Sequence, residues 1–304
     1  MSGSAARQPE SSTLGRILQT PRRLYRLVRL DPLATVGAAI VLGLVFCAIF
    51  APVLTPYTPT EQDLGNELDG PSATHLLGTD HLGRDVFTRI LYGTRYALAI
   101  AVFVVSLETL IGVSLGLASG YYRGKVDETI MRALDVLVSI PSLLLAMVIV
   151  SSFGVNIWNA MLAISIVYIP MMSRTVRSST LSLREETYVK AAQNLGYSDQ
   201  RVMVKHILPN AVPPIVVLGT TDVAYALIDV ATLSFLGLGI QPPHPSWGAM
   251  AHTAQEYLLV SPHFIVFPTI AIAITVVGFN LLGMGLREIF LYKRDAVETE
   301  DIMG

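Results

Sequence analysis

Long apolar runs limit what this chain can fold into more than any other feature. Six of them, 33–54, 96–119, 133–153, 157–173, 212–236 and 264–286, reach or approach the length needed to cross a bilayer. A helix needs roughly 20 residues for that. Inside lipid the backbone must satisfy its own N–H and C=O groups, so these runs predict an all-α membrane protein. Charge is correspondingly scarce: 14% of the 304 residues are charged, against about 25% in a soluble domain. The first run follows a long polar arm, which predicts a retained span rather than a cleaved signal. Cys47 lies inside that run, where Phe46 breaks a lipoprotein pattern, so it reads as a membrane-helix cysteine.

Lys and Arg set the orientation, because they concentrate on the cytoplasmic side. With six spans, 18 of the 21 basic residues fall on one side. They are Arg7, Arg16, Arg22, Arg23, Arg26 and Arg29 in the arm; Arg123, Lys125 and Arg132; Arg174, Arg177, Arg184, Lys190, Arg201 and Lys205; and Arg287, Lys293 and Arg294. Arg84, Arg89 and Arg95 lie opposite. Both termini are therefore expected in the cytoplasm. Two loops are expected outside, and Pro242, Pro243 and Pro245 must turn the chain in the second of them.

Small and acidic residues mark close contacts within the bilayer. Gly112, Gly116 and Gly120 recur every fourth residue, a spacing that lets two helices approach, within the chain or against a partner. Asp222 and Asp229 are seven apart on one face of the fifth span. A carboxylate at mid-bilayer costs roughly 2.5–3.5 kcal/mol, so this face either lines a pathway or contacts another helix.

Several chemistries have no support. No phosphate-binding G-x-x-x-x-G-K-[ST] occurs, since the only Gly-Lys pair, Gly124-Lys125, is followed by Val126. No nucleophile–base set stands out, and the histidines lack ligand spacing. The expectation is no catalytic residue, no metal and no cofactor in this chain.

Between the fourth and fifth runs lies a polar, patterned island. Tyr188, Ala191, Ala192 and Leu195 fall on one helical face, and Gly196 suits a left-handed cap. Ser198 can then cap a second helix with Asp199 at its positive end, and Pro209 predicts its stop. A DNA-binding helix-turn-helix would need a third helix and its own core. A docking element fits better, because small alanines beside a sharp turn allow close approach.

"KAAQNLGYSDQRVMVKHILP" (Lys190 to Pro209) resembles the cytoplasmic loop of inner-membrane permeases of ATP-binding-cassette importers. Its pattern is E-A-A, three residues, G, nine residues, I-x-L-P. Ala191, Ala192, Gly196, Leu208 and Pro209 match, whereas Lys190 replaces the glutamate and His206 the first isoleucine. "LGTDHLGRDVFTRILYGTR" (Leu77 to Arg95) and "LSFLGLGIQPPHPSWGAM" (Leu233 to Met250) are similar to two extracytoplasmic stretches of the dipeptide/oligopeptide subfamily. The signature residues there are Gly78, Asp80, Gly83, Arg84 and Asp85, then Gly237, Gly239, Gln241, Pro242, Pro243, Trp247 and Gly248.

The resemblance implies a type I, MetI-like permease fold in a bacterial or archaeal cytoplasmic membrane. It implies an arm at 1–32, a first helix at 33–54, an extracytoplasmic segment at 55–95 and a five-helix core at 96–290, then a tail at 291–304. The core would hold a coupling loop at 174–211 and an extracytoplasmic loop at 237–263. Implied partners are a second, homologous permease, two ATPases holding ATP and Mg, an extracytoplasmic binding protein and membrane lipid, with no nucleic acid. Tyr188, Lys190, Ala191, Ala192, Leu195, Gly196, Asp199 and Pro209 would couple to the ATPase. The implied cargo is a dipeptide or oligopeptide; nickel, glutathione or another small solute is the alternative. A secondary transporter, the more distant alternative, would show inverted repeats, and none is visible.

Overall fold

The computed structural model describes residues 32–303, with side chains described for 32–290. The arginines of the N-terminal arm, and the side chains of Lys293 and Arg294, lie outside the described residues. The described residues form helices α1 (Pro32–Leu54), α2 (Val86–Tyr122), α3 (Gly124–Val138), α4 (Ser142–Phe153), α5 (Ile157–Leu183), α6 (Thr187–Asn194), α7 (Asp199–Val202), α8 (Leu208–Phe235), α9 (Trp247–Ala254) and α10 (His263–Met303). Five segments are long and apolar enough to cross a membrane, six if the bent pair α3–α4 counts as one span. The outward apolar side chains are large, as at Leu42 (67% exposed), Ile49 (63%) and Val53 (82%). Apolar area exposed on this scale is disfavoured in water at about 25 cal/mol per Å2 and costs nothing in lipid.

The helix limits show where side-chain chemistry overrides hydropathy. α2 starts ten residues before the expected 96, because Asp85 accepts a hydrogen bond from the Thr88 N–H (2.6 Å) and caps it. Residues 86–95, expected in the extracytoplasmic segment, are thus its first turns. Arg123, at φ 57°, ends α2 and turns the chain into α3. The third expected span, 133–153, is not one straight helix: α3 and α4 meet at 86°. Pro141 stands at the break, where it removes an N–H donor and pushes Ile140 out of helical geometry.

Pro209 is not the stop that its position suggested. The chain stays helical from Asp199 to Phe235. A π turn at Met203–Ile207 precedes Pro209, with the Leu208 N–H bonded to the Met203 carbonyl. The wider turn leaves room for the proline ring, and the missing N–H falls at the junction between the π turn and α8.

Glycines bring the long helices together. A Cβ on Gly112, Gly116 or Gly120 would lie 2.6–2.7 Å from atoms of Met172, Ser173 and Thr180 on α5. The glycine series therefore serves contact within the chain, between α2 and α5. Gly37 of α1 and Gly278 of α10 play the same part for that pair. Ile100, Val104, Ile164, Ala226 and Leu233 fill the space between α2, α5 and α8.

Candidate functional site

The island at 184–209 folds as a platform on the ends of α2 and α5. α6 ends at Asn194 with Leu195 as its C-cap, and Gly196 takes φ +75°. The Gly196 N–H reaches the Gln193 carbonyl (2.9 Å) and the Tyr197 N–H reaches the Ala192 carbonyl (3.3 Å). These two bonds make a Schellman cap, the left-handed turn expected at this glycine. Ser198 stands at the N-cap of α7, yet its side chain makes no capping bond. Asp199 instead accepts a hydrogen bond from the Tyr121 hydroxyl (2.9 Å).

Of the apolar face read in the sequence, only Ala192 is buried. Val189 (0% exposed) and Ala192 (3%) pack with Leu117, Met172, Val176, Val202 and Ile207. Tyr188 (41% exposed) and Leu195 (72%) point away, and so does Ala191. Two apolar stripes one residue apart share this short helix, and the core took the β-branched one. Ala192 is therefore a core residue, and a bulky group there would overpack the platform itself.

Polar contacts hold the platform from beneath. Arg184 donates to the Tyr121 carbonyl (2.6 Å) and stacks its guanidinium over the Tyr121 ring at 5.4 Å. Gln193 donates to the Tyr121 hydroxyl (3.3 Å). Lys190 pairs with Glu185 (3.1 Å), which also accepts from Arg123 (2.6 Å). The Arg123 guanidinium, and then the Lys190 ammonium, hold the Glu185 carboxyl below the usual carboxylate range. Arg177 makes a bidentate pair with Asp127 of α3, both bonds 2.6 Å. Tyr121, Gln193 and Glu185 were missed in the sequence because no local pattern announces a contact between residues 60 to 80 positions apart.

At the other end of the bundle, Gly78, Asp80, Gly83, Arg84 and Asp85 tie a knot at the start of α2. Asp80 accepts from the Leu82 N–H, the Arg84 N–H and the Arg84 Nε, at 2.9, 3.1 and 2.7 Å. Asp85, besides capping α2, meets His75 Nδ1 at 2.9 Å. Gly83 has φ +68°, and a Cβ there would lie 1.8 Å from the Asp63 carbonyl oxygen. The second signature closes on the same end. Gly237 terminates α8 at φ +78°, and Gln241 bonds back to the Gly237 and Gly239 carbonyls at 3.0 and 3.1 Å. The Trp247 indole donates to the Ile90 carbonyl (3.1 Å), and a Cβ on Gly248 would meet the Ala231 carbonyl at 2.0 Å. Pro242 and Pro243 are left at an exposed tip.

Asp222 and Asp229 both face helices of the same chain. Asp229 accepts from the Tyr168 hydroxyl of α5 (2.7 Å). Asp222 (4% exposed) lies against Glu108 of α2 (0%). Among the described residues, no group of three or more His, Cys, Asp or Glu side chains could hold a metal ion.

Residues 112–293 match the family model described as binding-protein-dependent transport system inner membrane component. Residues 22–71 match the N-terminal TM domain of oligopeptide transport permease C. The chain is 42% identical to the dipeptide transport system permease protein DppC of Alkalihalophilus pseudofirmus, covering 88% of each chain. It is 42% identical to the glutathione transport system permease protein GsiD of Pectobacterium atrosepticum, covering 89% of this chain and 91% of the relative. Among solved structures it shares its fold with a chain of the inward-facing MetNI methionine ABC transporter (TM-score 0.56, 16% identity, 67% of this chain and 96% of that one). A chain of an amino acid ABC transporter with histidines is also similar (TM-score 0.51, 16% identity, 66% and 94%).

Proposed function

Because the chain belongs to the binding-protein-dependent transport system inner membrane components, as the permease of an ABC importer, we propose that it carries small peptides and takes its drive at α6. Relatives named for dipeptides and for glutathione, itself a tripeptide, match equally well, which favours small peptides as a class. The platform faces the cytoplasm, and two separate ATPases, holding ATP and Mg, bind there. A second, homologous permease completes the pathway in a bacterial or archaeal cytoplasmic membrane. A binding protein delivers cargo at the opposite end, where the Gln241–His244 tip is exposed.

One observation carries the coupling role. α6 is clamped to the bundle by Val189 and Ala192, while Tyr188, Ala191 and Leu195 form an apolar stripe left exposed among the described residues. An ATPase cleft that covers this stripe gains apolar burial, roughly 1.5–3 kcal/mol for a side chain such as leucine. The clamped face passes a push on α6 to α2 at Leu117 and to α5 at Met172 and Val176, Gln193 holds α6 to Tyr121 of α2, and the continuous helix from Asp199 leads into α8. Alternating access then follows from ATPase closure, with no catalysis in this chain.

The test is uptake of labelled dialanine by the assembled importer in proteoliposomes. Leu195→Asp and Ala191→Trp should each lower ATP-driven uptake at least about tenfold, since 1.4 kcal/mol of lost docking is a factor of ten. The amount of folded permease in the membrane should be unchanged. Normal uptake in both variants would overturn the docking role.

A further inference from the structure

A groove of about 850 Å3 opens between α5, α8 and α10, close to the α6 platform. Thr175, Ser178 and Ser182 line its α5 wall, and their spacing puts all three on one helical face. Arg287 of α10 is the one charged residue lining it among the described residues. Arg123, Arg132, Arg174 and Arg177, at the same end of the bundle, each pair with a carboxylate. Arg287 pairs with none and makes no hydrogen bond among the described residues. Ser178 and Ser182 are exposed, and among the described residues their hydroxyls likewise have no protein partner. Met171, Leu183, Val217 and Phe290 supply an apolar remainder.

We propose that this groove is an anion-binding station, in which Arg287 takes an oxyanion while the serine hydroxyls of α5 donate beside it. A guanidinium presents a planar fork that fits a carboxylate or phosphate through two parallel N–H bonds. Serine hydroxyls add donors, and among the described residues no carboxylate lines the groove to compete. The volume lies in the range of small-ligand sites, about 300–1,000 Å3. The anion is either the carboxylate of a solute in transit or the phosphate of a lipid headgroup. The station itself rests on the importer assignment; reading its anion as a peptide carboxylate rests on the proposed cargo.

The decisive experiment uses the full importer in nanodiscs without nucleotide, with Cys47→Ser and Ser182→Cys in this chain. The Ser182→Cys thiol is labelled with two methanethiosulfonate reagents, one carrying a sulfonate and one a trimethylammonium. Local positive charge should make the anionic reagent react roughly fivefold faster. Arg287→Gln should bring the two rates to near parity, and Arg287→Lys should keep most of the preference. A rate ratio that Arg287→Gln leaves unchanged overturns the station.

Two arms separate the sources. Slower labelling with dialanine, but not with dialanine amide, assigns the site to a peptide carboxylate. Slower labelling in phosphatidylglycerol than in phosphatidylcholine discs, without peptide, assigns it to a headgroup. Protection by neither overturns the proposal. Dialanine uptake by the parent importer, measured alongside, shows separately whether the small-peptide reading itself has failed.

Discussion

Lys190 stands where the related loop pattern has a glutamate, and its ammonium meets Glu185 at 3.1 Å. The pair is more than half exposed on each side, so its contribution to stability is small. What it changes is the surface beside the apolar stripe of α6, which carries a cation where the pattern has an acid. His81 is a different case. Its imidazole packs in one cluster with Tyr257 and Phe264, at 5.8 and 5.9 Å, and its Nδ1 is buried without a partner among the described residues. Burial holds its pKa below 6.5, against the pull of Asp80. As pH falls, the unfolded chain therefore binds the proton first. The stability contributed by His81 is complete above pH 6.5 and is lost progressively as pH falls towards the depressed folded value. Thermal unfolding of the purified protein between pH 7.5 and 5 should show a Tm decline that is shallower in His81→Phe, which keeps the ring stack. An identical decline in parent and variant would remove His81 as the source.

Among the elements, α2 depends most on small residues. Gly116 has the Ser173 carbonyl 2.6 Å from where its Cβ would be, so any side chain must push α5 away. Gly116→Leu should cost at least the 1–3 kcal/mol typical of overpacking, because backbone rather than a flexible side chain stands in the way. Ser114→Leu, on the exposed side of the same helix, is the matched control. Size-exclusion profiles of detergent extracts should show a monodisperse peak for the control and a large loss for Gly116→Leu. Equal profiles would mean that α2 and α5 do not depend on this contact. The bent pair α3–α4 shows the converse, an element shaped by a single residue type. Without Pro141 the run 133–153 has the apolar length of one span; with it the chain turns through 86°.

For the whole molecule, the expected outcome concerns sidedness. In a Cys47→Ser background, Asn66→Cys should react with an impermeant maleimide on intact cells, whereas Gln200→Cys should react only after permeabilisation. Reversed labelling would invert the proposed orientation. Much of the molecule was legible in the chain: the apolar runs give the all-α class, because lipid leaves the backbone no other way to satisfy its polar groups. Gly196 was legible because a Schellman turn requires a left-handed residue. The permease family was legible because Ala191, Ala192, Gly196 and Pro209 keep a distinctive spacing. Tertiary structure alone decided which stripe of α6 is buried, since Val189 and Tyr188 are both apolar enough and only the cluster around Val202 and Ile207 chooses between them. It decided that the glycines of α2 serve α5, that Asp222 meets Glu108, and that Arg287 has no counter-ion among the described residues in a groove of three helices. Spacing along one helix determines which residues share a face, but the neighbour that the face meets comes from elsewhere in the chain, and only packing brings it there.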